Sequence, residues 1–316
     1  MTNPMHGVFA VPTTPYTEDG DQNLDALSSR IEEVLASGVT GLLGLGATGE
    51  ALALSAVERE SQIKTIVSAV DGRAHVVIGC MAYTPAEMSA QISNAADWGA
   101  DAVMVTPPFY GGLEPEAVIA ALRPVLTASE LPVMVYNNPH STGTDLLPDH
   151  VASLQDTGRL WSVKETSGAA TRFRELCSRL GEDTEVFVGA DGIALEGFAQ
   201  GASGWVAASA WLLPEHCQKL WAAADSGDWA GAVDLWRTLG HALGLIEGDS
   251  AFISLIKQAL SRTGREQGPV RPPLPTAGSE ALATLLDAIA DLERKHTARV
   301  PRHHQRTPSS TAVEPR

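Results

Sequence analysis

Long hydrophobic runs, cysteines and positive charges are all scarce in this chain of 316 residues. No apolar run reaches the roughly 18 to 20 residues that a membrane-spanning helix needs, so we expect no membrane span. Residues 1–12 lack the charged start, apolar stretch and cleavage site of a signal peptide. Cys80, Cys177 and Cys217 are far apart and odd in number, which predicts reduced packing residues. These absences together predict a cytoplasmic protein.

Basic residues are outnumbered, with 22 Lys and Arg against 38 Asp and Glu and a formal net charge of −16. This balance argues against a nucleic-acid partner, which would need clustered positive charge, and leaves small-molecule substrates open. The nine histidines show no H-E-x-x-H or comparable cluster, and no Ser or Cys stands in a G-x-S-x-G turn. We therefore expect neither a metal site nor a nucleophile elbow.

Short apolar segments alternate with amphipathic helical segments along most of the chain. The segments are too continuously apolar for a sheet with one wet face, so they fit parallel strands covered by helices. Eight such units favour an α/β fold, a (β/α)8 TIM barrel, over an open Rossmann-type sheet, which stays possible. The predicted strands are 7–11, 41–45, 75–79, 102–106, 132–136, 160–163, 185–189 and 204–207.

Strand patterns stop after residue 210, where helical patterns take over. We predict a barrel over residues 1–210 and a C-terminal helical extension, residues 211–296, packed on it. Residues 297–316 are polar and without periodicity, which predicts a disordered tail.

Lys164 is the first candidate for chemistry. The chain has five lysines, and the other four lie in helical patterns, where a solvated ammonium is the ordinary interpretation. Lys164 follows an apolar strand at its C-terminal end, the end that faces the active site in such barrels. A desolvated amine there could attack a carbonyl group. The alternative is an ion pair with Glu165 or another carboxylate.

Tyr136 is the second candidate, because it ends the preceding strand and lies 28 residues before Lys164, about one strand–helix unit. A phenol beside an imine could relay protons. The alternative is a tyrosine that only packs at a strand end.

The turn Gly44-Leu-Gly-Ala-Thr-Gly49 is the third candidate. It matches the G-x-G-x-x-G pattern of dinucleotide sites, but no acidic strand end follows about 20 residues later. It could instead hold a carboxylate through backbone N–H groups and Thr48, or simply be tight.

Several motifs in this order resemble the dihydrodipicolinate synthase and N-acetylneuraminate lyase family of Schiff-base aldolases. The resemblance runs from about residue 7 to residue 295. The strings that carry it are Gly46-Ala-Thr-Gly-Glu50, Tyr136-Asn-Asn-Pro139, Thr142-Gly143 and Val163-Lys-Glu-Thr-Ser-Gly168, with Pro108-Phe-Tyr110, Gly189-Ala-Asp191 and Gly268-Pro-Val-Arg-Pro-Pro273 as looser matches.

The resemblance implies a homo-oligomer, tetramer or dimer, that works without a metal or an organic cofactor. Lys164 would form the imine with a 2-keto acid such as pyruvate, and Tyr136 would shuttle protons. Ala47 and Thr48 would hold the keto-acid carboxylate, and Tyr110 is similar to a tyrosine that a neighbouring subunit inserts near the site. Further substrate-binding residues implied by the resemblance are Gly189, Asp191 and Ser209.

Departures from the family pattern bear on the second substrate. Synthases have a hydroxyl residue at Ala47 and an arginine for the aldehyde's carboxylate at Ser141. Sialic acid lyases have an acidic residue at Gly192, so a long polyhydroxy substrate is disfavoured. Trp211 could narrow the pocket or simply pack.

The sequence thus predicts a 2-keto-acid aldolase or lyase that acts on a keto acid, with an aldehyde as the candidate second substrate. The alternatives are 4-hydroxy-tetrahydrodipicolinate synthase, a 2-keto-3-deoxy-acid dehydratase or deaminase using the same imine, and a catalytically silent keto-acid-binding barrel. A nicotinamide oxidoreductase is the most distant alternative.

Overall fold

Eight parallel strands close into a barrel in which each strand pairs with the next and β1 pairs with β8. A computed structural model describes residues 5–297. The strands are β1 Gly7–Ala10, β2 Gly41–Gly44, β3 His75–Cys80, β4 Ala102–Val105, β5 Val133–Asn137, β6 Leu160–Glu165, β7 Glu185–Val188 and β8 Gly204–Ala207. The predicted (β/α)8 barrel is confirmed, and the open Rossmann-type sheet is excluded.

Helices cover the outside of the barrel and form the C-terminal part of the chain. They are α1 Leu24–Ala36, α2 Ala56–Val70, α3 Pro85–Asp97, α4 Pro115–Ala128, α5 Pro139–Thr142, α6 Pro148–Ala152, α7 Thr171–Leu180, α8 Ala194–Ala199, α9 Pro214–Asp225, α10 Trp229–Glu247, α11 Phe252–Ser261 and α12 Ser279–Thr297. Ser55 and Glu58 form a capping box at the start of α2, and Thr84 accepts a hydrogen bond from the Glu87 N–H at the start of α3. Of the predicted tail, residues 297–316, all but Thr297 lie outside the described residues.

The strands carry apolar side chains on both faces, and the two faces form two clusters. The inner cluster fills the barrel with residues such as Phe9, Met104 and Phe187. The outer cluster lies between strands and helices and extends into α9–α12. Burial on both sides explains the continuously apolar strands and leaves the polar residues of the site at strand ends.

β6 continues two residues beyond the predicted segment, which ended at residue 163. Parallel pairing with β5 sets Tyr136 opposite Lys164 and Asn137 opposite Glu165. Because side chains alternate along a strand, Lys164 faces the barrel interior and Glu165 faces the helix layer. The polar end of β6 is therefore part of the sheet.

A buried ion pair ties the loop after β2 to α11. The side chains of Lys257 and Glu50 are 1% and 0% exposed, with Lys257 Nζ 2.9 Å from Glu50 Oε1. Lys257 also donates to the carbonyl oxygens of Thr14 at 2.8 Å and Pro269 at 2.6 Å. Burial lowers the pKa of Lys257, while Glu50 raises it. The expectation of a solvated ammonium was wrong for Lys257, because α11 buries the face that carries it.

Taken singly, the helices of the described part of the chain are too short or too polar to cross a membrane. Only α10 and α11 together reach the required length and composition, and they are bent by 118°.

Replacing Lys257 by methionine tests this ion pair. We expect Lys257→Met to lower the free energy of unfolding by about 3–5 kcal/mol, because it leaves the Glu50 carboxylate buried without its cation. The measurement is urea unfolding at neutral pH. Lys64→Met removes an exposed ion pair with Glu60 and should cost less than about 1 kcal/mol. Equal losses in the two variants would contradict this view of the Lys257–Glu50 pair.

Candidate active site

A cavity of about 480 Å³ opens at the C-terminal ends of the strands. Six of the predicted site residues line it, and they come from the ends of four different strands or the loops that follow them. These residues are Ala47, Thr48, Tyr136, Lys164, Gly189 and Asp191. Tyr110 and Ser209 are not among the lining residues.

The Lys164 side chain is buried in this cavity, with 8% of the residue exposed. Its Nζ lies 4.2 Å from the centre of the Tyr136 ring. The neighbouring Glu165 accepts hydrogen bonds from Asn137 Nδ2 at 2.9 Å and from the Ser167 N–H at 2.5 Å, on the other side of the strand. Glu165 is therefore not the counter-ion of Lys164, and the amine faces the cavity.

Gly189 directly follows β7, and its lack of a side chain leaves the space that the Lys164 side chain occupies. A Cβ atom at this position would lie 2.9 Å from Lys164 Cε and 1.9 Å from Thr166 Oγ1. Any larger residue would push the lysine and the threonine away. Thr166 Oγ1 is itself buried, and no hydrogen-bond partner is found for it within residues 5–297.

The Tyr136 hydroxyl accepts a hydrogen bond from Asn138 Nδ2 at 2.7 Å. The Asn138 side chain also accepts from the Ser141 N–H at 3.3 Å and so caps the short helix α5. Sequence reasoning did not single out Asn138, although it lies within the string Tyr136-Asn-Asn-Pro139. The phenol is thus held in one orientation beside the lysine, where it can pass protons.

The glycine turn after β2 carries Ala47 and Thr48 to the cavity wall. Glu50 has a positive φ of 55° and is held from two sides, by Lys257 and by the Arg271 N–H at 2.8 Å. A three-residue 3-10 turn, Ala51–Ala53, separates the glycines from the start of α2. Because the pyrophosphate of a dinucleotide binds at a helix N-terminus that follows the glycines directly, this geometry does not support the dinucleotide interpretation.

Asp191 is buried and lines the cavity. Its carboxylate accepts hydrogen bonds from Trp205 Nε1 at 2.9 Å and from the Ser209 N–H at 2.8 Å. Burial raises the pKa of Asp191, while these hydrogen bonds lower it. Ser209 thus lies behind Asp191 and contacts it, and its hydroxyl is 3.6 Å from Cys217 Sγ.

Glu247, the last residue of α10, also lines the cavity and was missed by the sequence analysis. Its Oε2 accepts a hydrogen bond from the Gly192 N–H at 2.6 Å. Burial of the carboxyl group raises the pKa of Glu247, and the charge of Asp191 raises it further. No local motif marks this residue, because it reaches the site from a helix that follows the barrel strands.

Tyr110 and Trp211 lie away from the cavity in this chain. Tyr110 is 78% exposed, and its ring lies 6.5 Å from that of Tyr83. Trp211 is fully buried with the Arg30 guanidinium 5.7 Å from its ring centre, so it packs rather than narrowing the pocket. Ser141 does line the cavity.

Comparison with known proteins gives one family. The model of the dihydrodipicolinate synthetase family matches residues 4–292. A 4-hydroxy-tetrahydrodipicolinate synthase from Anaeromyxobacter sp. (strain K) is 31% identical over 290 residues, covering 90% of this chain and 96% of that protein. One from Phenylobacterium zucineum (strain HLK1) is 32% identical over 292 residues, covering 92% and 99%.

Solved structures of the same family have folds similar to that of this chain. The chloride-inhibited dihydrodipicolinate synthase from Acinetobacter baumannii, complexed with pyruvate, has a TM-score of 0.87 at 26% identity and covers 92% of this chain and 99% of its own. YagE, a prophage protein of the dihydrodipicolinic acid synthase family from E. coli K12 in complex with pyruvate, has a TM-score of 0.86 at 27% identity, with coverage of 92% and 99%. This chain belongs to the dihydrodipicolinate synthetase family, and it is a lyase of the class I aldolase type.

Proposed function

We propose that Lys164 forms a Schiff base with a 2-keto acid such as pyruvate, and that the chain makes or breaks a C–C bond through this imine. The observation that carries the proposal is the Lys164 amine inside the barrel mouth, 4.2 Å from the Tyr136 ring centre. The two pyruvate-bound structures with a similar fold support pyruvate as the keto acid. We assign Thr48 and the turn around Ala47 to the keto-acid carboxylate.

The chemistry follows from the electron-withdrawing imine. The neutral amine adds to C2 of the keto acid, water leaves, and a protonated imine forms. Loss of a proton from C3 gives an enamine, whose C3 forms a bond to the carbonyl carbon of an aldehyde while the aldehyde oxygen takes up a proton. Hydrolysis of the imine releases the product and restores the amine. Tyr136 is the group placed to move these protons, and lyase turnover runs the same steps backwards.

The relatives named 4-hydroxy-tetrahydrodipicolinate synthase make that activity the first alternative. Ala47 lacks the hydroxyl group, and Ser141 lacks the positive charge, that such synthases have in these places. Since the lining residues in the described part of the chain include no arginine, an aldehyde bearing a carboxylate would lack a bidentate partner. We therefore favour an aldehyde without a carboxylate as the second substrate. A dehydratase or a deaminase that uses the same imine is a further alternative.

We also propose a cytoplasmic homo-oligomer, a dimer or tetramer, in which Tyr110 completes the site of a neighbouring subunit. Tyr83, Phe109 and Tyr110 form an aromatic cluster in which Tyr83 and Tyr110 are exposed. Exposed aromatic residues of this kind are typical of protein interfaces. The free thiols Cys80, Cys177 and Cys217 support a reducing compartment.

Borohydride trapping tests the imine. We expect pyruvate plus borohydride to add one reduced pyruvyl group to the chain, with Lys164 as the modified residue, as read by intact mass and peptide mapping. Lys164→Ala should show no addition, and Lys64→Ala should be labelled like the wild type. An unmodified wild-type mass would refute the Schiff base.

Removing the Tyr136 hydroxyl tests the proton relay. We expect Tyr136→Phe to lower turnover by roughly 10²- to 10⁴-fold, since the phenol moves protons that the ring alone cannot. Pyruvate trapping at Lys164 should persist, because the amine is still present. Turnover equal to that of the wild type would remove Tyr136 from the mechanism.

Mixing inactive subunits tests the role of Tyr110. We expect Tyr110→Ala and Lys164→Ala to be weakly active or inactive alone and to regain activity after they are unfolded and refolded together. A mixed oligomer then has sites with an intact Lys164 and the neighbour's Tyr110. Lys164→Ala refolded with Tyr136→Phe is the control and should gain no activity, because one chain supplies both residues. A Tyr110→Ala variant with full activity would exclude the proposed role.

A further inference from the structure

The charges around the cavity are unevenly placed. The Lys164 amine lies deep, and it is the only lysine or arginine side chain among the residues that line the cavity within the described ranges. Two carboxyl groups also line the cavity, that of Asp191, which is buried, and that of Glu247, which is exposed. A substrate that extends outward from the imine therefore meets negative charge.

The two carboxyl groups differ in what they already bind. Both oxygens of Asp191 accept hydrogen bonds from the protein, one from the Trp205 indole and one from the Ser209 N–H. Glu247 is held at Oε2 by the Gly192 N–H and lies at the exposed mouth of the cavity. Glu247 is thus the carboxylate that an incoming second substrate reaches first.

The Glu247 carboxylate occupies space that is free because residue 192 is glycine. A Cβ atom on Gly192 would lie 2.7 Å from Glu247 Oε2, so a side chain at residue 192 would displace the carboxylate. Ile193, Ile246 and Phe252 also line the cavity, while Glu247 itself is exposed. A carboxylate at the mouth of the cavity can accept charge-assisted hydrogen bonds from hydroxyl donors, and its charge repels a second carboxylate.

A second hydrogen-bonding group points to a polar ligand. Thr166 also lines the cavity, and its buried Oγ1 has no partner within residues 5–297. Buried hydroxyl groups are normally hydrogen-bonded, so an unpaired one in a binding cavity suits a ligand's polar atom.

We infer that Glu247 is a specificity-determining residue that selects an uncharged, hydroxyl-bearing aldehyde as the second substrate and rejects aldehydes that carry a carboxylate. The inference rests on the proposed aldolase function and names the substrate class for that site. Glu247 accepts a hydrogen bond from the aldehyde's hydroxyl group, and its charge opposes an anionic aldehyde.

The experiment compares two aldehydes with pyruvate as the donor. Glyceraldehyde is the hydroxylated aldehyde, and succinic semialdehyde is the anionic one. For each aldehyde kcat/KM is determined from the rate of product formation, with the product quantified by mass spectrometry. We expect the wild type to prefer glyceraldehyde, and Glu247→Gln to lower the preference ratio by roughly tenfold or more, because a hydrogen bond to a charged group and a repulsion are both lost. Glu196→Gln, an exposed glutamate on α8, is the matched control and should keep the wild-type ratio.

The outcomes separate the two claims. Wild-type protein that is not labelled by pyruvate and borohydride refutes the proposed function. Wild-type protein that is labelled but whose preference ratio is the same in Glu247→Gln refutes the role of Glu247 alone. Preference for succinic semialdehyde in the wild type refutes the substrate class.

A pH series on the wild-type protein tests the role of Glu247 without relying on a variant that must fold. The groups that face Glu247 are Asp191 and Lys164, and His140 lines the same cavity. Because burial and Asp191 raise the pKa of Glu247, its charge is present above that raised pKa and is lost as the pH falls through it. Discrimination against succinic semialdehyde should therefore weaken at mildly acidic pH, above the range where an ordinary glutamate titrates. Discrimination that stays constant down to that ordinary range would overturn the assignment.

Discussion

The parallel pairing of β5 with β6 is the constraint on which the site depends. Its register sets Tyr136 beside Lys164 on the inner face and Asn137 beside Glu165 on the outer face. The outer pair is hydrogen-bonded, with Arg172 3.9 Å from Glu165 and bound to Asp145 at 2.9 Å. A register shift of one residue would exchange the two faces and point the lysine at the helix layer. The outer network therefore keeps the amine in the cavity without touching it.

The parts of the molecule that follow local rules could be predicted from the sequence. Continuously apolar segments located all eight strands to within two residues, since burial on both faces leaves a signal in every strand. The strand–helix repeat also placed Tyr136 next to Lys164. The contributions of Lys257 and Glu247 could not be predicted, because each depends on contacts that the helices make only after folding. Asn138 contacts residues close by in sequence, but the string alone does not show which way its side chain points. Lys257 is the clearest example, since a lysine in an amphipathic helix gives no sign that its ammonium is buried.

The same limit affects substrate reasoning from motifs. Residue 192 is glycine where the family resemblance leads one to look for an acidic residue. A comparison of motifs therefore predicts only that a carboxylate is missing there. In the folded chain Glu247 brings a carboxylate to the Gly192 N–H from the end of α10. A carboxylate can thus lie beside residue 192 although the sequence around that residue does not encode it. Trp211 shows the opposite case, a large residue close to the site in sequence that packs beneath α1.

The helices α10 and α11, which follow the barrel, contribute to the cavity in two separate ways. Glu247 ends α10 and lines the cavity, whereas Lys257 in α11 holds Glu50 and with it the turn that carries Thr48. If Glu247 selects the aldehyde as we infer, substitutions in the last turn of α10 change which aldehyde enters and leave the proposed keto-acid end of the cavity intact. Substitutions at Lys257 would disturb that end instead. Evolution could therefore retune the acceptor of this enzyme from outside the barrel, with imine formation inherited unchanged.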